Sequence, residues 1–179
     1  MMRYRFLTLL IVVFVVLLAT VVALRWYSQS GIPPRIFANT ALNAESTVVY
    51  EGLPHQTYER ELLERERKTK NIRELHGYPF YREPLEVTQD DAQKLAAILG
   101  KSSTWRPFTG EKKCGGFHPD YAVEFNTGKH RFVVLLCFGC GEGKIFNVGS
   151  EWRFNMSLEP REVLEAYQKN RPPNENRFP

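Results

Sequence analysis

From Phe6 to Leu24 the chain runs nineteen residues without a single charge. As a helix rising about 1.5 Å per residue, such a run is long enough to cross a bilayer's hydrocarbon core. Arg3 and Arg5 precede it and nothing acidic appears before Glu45, so the run reads as a signal peptide or a signal anchor. The anchor is favoured. A cleavable signal has an apolar core of only about 7–15 residues, and Arg25-Trp26-Tyr27 reads as an interfacial belt. Val21-Val22-Ala23 is the alternative, a cleavage site. The expectation is one transmembrane helix over about 6–24 within an anchor of residues 1–27. It implies a single-pass protein of the cell membrane, with its C-terminal domain outside the cytoplasm.

The chain beyond the anchor is long enough for one core of ordinary size. Removing Arg3 and Arg5 from the 24 basic residues leaves 22 against 20 acidic ones, interleaved along the chain. A nucleic-acid partner is disfavoured, because such a partner calls for a clustered basic face.

Residues 28–46 hold Gly31, Pro33 and Pro34 and show no apolar period, so they read as a linker. The domain is expected over 47–170 and a disordered tail over 171–179. Thr47-Val48-Val49-Tyr50 is a β-branched and aromatic run, hence a strand. From Thr57 to Lys70 a solvated helix is expected, with Glu61/Arg65, Glu64/Lys68 and Glu66/Lys70 in the favourable i,i+4 order. Thr88 and Asp91 form a capping-box-like pair. Ala92, Leu95, Ala96 and Leu99 share one helical face, and Gly100 closes that helix. The second half reads as a meander: Tyr121 to Phe125, Arg131 to Phe138, Lys144 to Val148 and Glu151 to Met156. Ser157 is then expected to cap a last helix carrying Val163, Leu164 and Tyr167.

Cys114, Cys137 and Cys140 are the only cysteines. If Thr127-Gly128 is a two-residue hairpin loop, facing residues have numbers summing to 255. Glu124 then opposes Arg131, and His118 opposes Cys137. Cys114, His118, Cys137 and Cys140 would gather at one end of one hairpin. Three chemistries compete for them. The first is a structural disulfide from Cys114 to Cys137 or Cys140. The second is a metal site, with zinc as its candidate cofactor, in which Cys114-x3-His118 and Cys137-x2-Cys140 supply two chelating pairs to a tetrahedral ion. The third is a redox dithiol at Cys137 and Cys140; it lacks the helix that should follow to stabilise a thiolate.

Other motifs fail on context. His118-Pro119-Asp120 matches the J-domain tripeptide but leads into a strand. The glycine-rich stretch Gly139 to Lys144 resembles a phosphate loop, yet Phe138 and Ile145 stand where Gly and Ser/Thr are required. Haem attachment needs a histidine after Cys140, where Gly141 stands. No catalytic residue and no cofactor-binding residue is assigned, and the sequence leans against an enzyme.

Four stretches, Val49 to His55, Leu75 to Tyr81, Cys114-Gly115-Gly116-Phe117-His118-Pro119-Asp120-Tyr121 and Cys137-Phe138-Gly139-Cys140, together resemble a family of uncharacterised small bacterial proteins. Many of these begin with an export segment. The resemblance covers about Thr47 to Asn170 and implies that the cysteine and histidine cluster belongs to the fold. It contributes no catalytic residues. The expected fold class is α+β: an N-terminal transmembrane helix, then an antiparallel meander of about four strands covered by two or three helices. The expected function is a structural or interaction domain stabilised by its cysteine cluster. A metal-binding domain is the alternative, and a thiol-disulfide oxidoreductase ranks third.

Overall fold

The computed structural model describes residues 12–20, 33–110, 112 and 115–170. Among them no helix is long and apolar enough to cross a membrane. The apolar run is described only over residues 12–20, as helix. The transmembrane helix expected at 6–24, and the membrane anchor built on it, are corrected on that ground; the rest of the run lies outside the described residues, as do Cys114 and the tail 171–179.

The domain is α+β, and its sheet is larger than the meander expected. Six antiparallel strands run in the order β1-β5-β6-β7-β8-β4. They are β1 (Ser46–Glu51), β4 (Trp105–Pro107), β5 (Tyr121–Asn126), β6 (Arg131–Cys137), β7 (Glu142–Asn147) and β8 (Ser150–Met156). Strands β5 to β8 form the meander. The chain adds β1 outside β5 and the short β4 outside β8. A separate hairpin pairs β2 (Ile72–Leu75) with β3 (Tyr78–Tyr81).

Helices α1 (Arg35–Leu42), α3 (Gln89–Gly100) and α4 (Glu159–Leu164) cover one face of the sheet, while α2 (Arg60–Thr69) packs Leu63 with Leu53 and Tyr81. The β2–β3 hairpin covers part of the other face, over Tyr50, Ala122, Val133, Leu135 and Phe146. This double cover explains the unbroken apolar run of β6, buried from Phe132 to Cys137. A strand alternates apolar with polar residues only when one of its faces is wet.

Helix α1 falls inside the stretch expected to be linker. Phe37 is its anchor, fully buried, with T-shaped contacts to Trp105, Phe125 and Phe132 at centroid distances of 6.3, 6.3 and 5.5 Å. Helix α3 matches its expected start: the Thr88 Oγ1 accepts the Asp91 N–H, and Leu95, Ala96 and Leu99 are buried. At α4 the N-cap is Leu158 with no side-chain cap, and not Ser157.

The β5–β6 register differs from the expected one by two residues. Glu124 pairs with Val133 and Asn126 with Arg131. A shift of two keeps every side chain on its face, so Arg131 still reaches Glu124 diagonally, its Nη2 2.9 Å from both carboxylate oxygens. Arg73 of β2 shares that carboxylate at 3.4 Å and lies 4.2 Å above the Tyr50 ring, which ties the hairpin to the sheet.

Candidate functional site

Strand β6 ends at Cys137, and the chain returns through residues 138–141 to Glu142, the strand partner of Cys137. Gly141 makes the return possible at φ 58°, a left-handed conformation that side chains with a Cβ resist. Inside this turn the Cys140 N–H donates to the Cys137 Sγ at 3.3 Å, and the Cys140 Sγ donates to the Gly116 carbonyl at 3.4 Å. The Phe138 N–H donates to Asp120 Oδ2 at 2.7 Å, and Lys112 Nζ to the Cys140 carbonyl at 2.7 Å. Three of these four bonds tie the turn to the segment that leads into β5.

His118 lies in that segment, buried, with its Nε2 2.7 Å from the Leu53 carbonyl. The nitrogen donates, since a carbonyl can only accept. The His55 ring lies tilted against the His118 ring at 4.6 Å and against the Tyr58 ring at 4.7 Å. His55 Nδ1 accepts the Thr57 N–H at 3.0 Å, and Glu59 Oε2 accepts the His55 N–H at 2.8 Å. Here glycine is required at position 52 by a close approach. A Cβ on Gly52 would stand 2.1 Å from the Pro119 carbonyl oxygen, where the end of β1 meets the strand entering β5.

His118, Cys137 and Cys140 therefore occupy one end of the sheet, but not in the expected arrangement. The observed register, continued past Tyr121, sets position 120 and not 118 opposite Cys137. The His118 imidazole turns away, towards Leu53. Among the described residues no group of three or more His, Cys, Asp or Glu is placed to hold a metal ion. No disulfide is formed among them either, and Cys137 keeps a free thiol, 3% exposed. The disulfide and zinc expectations both needed Cys114, which lies outside the described residues; within them neither finds support.

Two buried carboxylates complete this end, and sequence reasoning missed both. Asp120 was legible only as part of a lookalike tripeptide. Glu142 is 1% exposed and accepts from Arg153 Nε at 3.1 Å and Nη2 at 2.8 Å. Phe108 covers that guanidinium at 4.0 Å. A buried charge is retained when it is paired and hydrogen-bonded, and this pair satisfies both conditions. Away from this end, a cleft of about 600 Å³ opens where α1, the start of β1 and the start of α3 meet.

Compared with known proteins, the chain matches no family model, no curated protein and no solved structure.

Proposed function

We propose that this chain is a binding domain whose cysteine and histidine end is a structural lock and not a reaction centre. One observation supports the reading. The chemistry-bearing atoms at that end are turned inward onto backbone partners, from the Cys137 and Cys140 sulfurs to His118 Nε2 and Asp120 Oδ2. A reactive cysteine sits in a partly exposed, electropositive setting, whereas a buried thiol is inert. The lock ties the β6–β7 turn, the strand entering β5 and the end of β1 into one unit.

The test uses the full chain, purified without reductant or chelator, and measures metal content, free thiols and reduction of a test disulfide. Substoichiometric metal and no reductase activity are expected. His118→Ala should cost about 1–3 kcal/mol in chemical denaturation, because the buried Leu53 carbonyl loses its donor. One bound metal per chain that disappears with Cys140→Ser would overturn the reading, as would catalytic turnover that depends on Cys137.

A further inference from the structure

We infer that the outer edge of β1, together with the cleft beside it, is a strand-addition site for an extended peptide carrying a basic residue; this rests on the binding-domain reading. Strand β1 is an outermost strand, paired on one side only with β5. Its backbone phase is legible from three bonds. The Gly52 N–H donates inward to the Asp120 carbonyl at 2.7 Å. The Val49 carbonyl accepts from the Leu85 N–H at 2.8 Å, and the Leu53 N–H donates to the Pro79 carbonyl at 3.3 Å, both on the outer side. Because hydrogen-bonding directions along a strand repeat every two residues, Thr47 points its N–H and C=O outward, like Val49.

Among the described residues the chain covers this edge only from Val49 onward. Leu85 forms an antiparallel bridge with Val49. The strand does not continue: the Val87 N–H folds back onto the Leu85 carbonyl at 3.0 Å, and α3 begins at Gln89. The place that the next two residues of such a strand would take, beside Thr47, is the cleft. Ala44, Val87 and Ala92 give it a small apolar lining, Gln89 and Gln93 supply amides, and Glu45 stands at its rim.

An unpaired edge is a template for another strand. Peptides bound in this mode take affinity from main-chain hydrogen bonds and specificity from pockets that receive alternate side chains. The small lining fits a short apolar side chain. Glu45, exposed and in no ion pair among the described residues, fits a Lys or Arg two positions along.

The test selects binders to the full chain from a random heptapeptide library displayed on phage, then measures the enriched peptides by fluorescence anisotropy. Enriched sequences should alternate, carry a basic residue, and lose at least tenfold in affinity with Thr47→Pro, Ala92→Trp and Glu45→Lys. Thr47→Pro removes only an outward N–H, which an edge strand tolerates; Ala92→Trp fills the cleft from α3, so the two losses have independent origins. Unchanged thermal unfolding shows that a variant has kept its fold. Peptides that bind these variants as tightly as the parent overturn the placement and leave the binding-domain reading standing. No enrichment overturns the inference, and so does a concentration-dependent dimer that Thr47→Pro abolishes, since a second copy would then own the edge. Metal or reductase activity at the other end, which overturns the underlying reading, produces neither pattern.

Discussion

His76 shows how one residue can carry both a turn and a titration. Among the described residues it is the non-glycine residue at positive φ, 51°, and is followed by Gly77 at 80°. Two central residues at positive φ are the mark of a type I′ hairpin turn, whose twist suits the flanking strands. The turn lays the imidazole flat on Phe146, with centroids 3.9 Å apart and an interplanar angle of 11°. Burial there holds the His76 pKa below its ordinary value of 6.5; Arg131 acts in the same direction, while Glu151 and Glu124 oppose it. A base whose folded pKa is lowered binds fewer protons folded than unfolded, so stability is full above the ordinary value and falls as pH drops from it towards the folded value. His76→Asn keeps a side chain that tolerates the left-handed turn and removes the titration. Urea midpoints at about pH 7.5 and about pH 5.5 should therefore diverge more for the parent than for the variant. Equal divergence would refute this role.

Among the elements, α1 and the β2–β3 hairpin were the least legible. Helix α1 begins directly after Pro34 with no side-chain cap, and its buried residues are Phe37, Thr40 and Ala41. Three inward positions in eight residues, one of them threonine, give too weak an apolar period to stand out from a linker. Packing makes the helix: Phe37 fills the space among Trp105, Phe125 and Phe132. Phe37→Ala should destabilise the domain by about 3–5 kcal/mol in chemical denaturation. A loss within error of zero would return residues 35–42 to linker. The hairpin carries only a faint local signal, His76-Gly77 between two short runs that end in Leu75 and begin with Tyr78. The charge-rich α2 was legible as a helix but not in its contacts: its buried face holds Leu63 and Glu66, and Glu66 accepts from the Tyr81 hydroxyl at 3.3 Å.

At the scale of the molecule, the last described residues are fastened to the end of β1. Glu51, at the end of β1, is fully buried. Its Oε2 accepts from the Asn170 N–H at 2.8 Å, from Asn170 Nδ2 at 2.9 Å and from the Lys169 N–H at 3.4 Å. Nearby, Tyr167 hydrogen-bonds Asp91 and Thr88 at the start of α3. Lys94 and then Tyr167 hold the Asp91 carboxyl below its ordinary range. Glu51→Ala should cost roughly 1.5–3 kcal/mol, because the half-buried Asn170 donors lose a charged acceptor. Ending the chain at Gln168 should cost a comparable amount, and combining the two changes should cost much less than their sum, as a double-mutant cycle by denaturation would show. Full additivity would mean that the clasp is incidental.

The sequence by itself determined what is local. The strands of the meander and the start of α3 at Thr88 rest on periodicity and capping, which act over a few residues. Tertiary structure decided what depends on distant partners. The hairpin register moved by two because a four-residue turn, in which the Thr127 N–H bonds the His130 carbonyl at 3.1 Å, replaced the two-residue loop. The length of an apolar run could not say what the described chain would build from it. Nor could spacing foretell that His118 would turn to Leu53 and Asp120 to the Phe138 N–H. Spacing fixes which side chains can meet, whereas the hydrogen bond each one makes depends on which buried backbone groups the finished fold leaves in need of a partner.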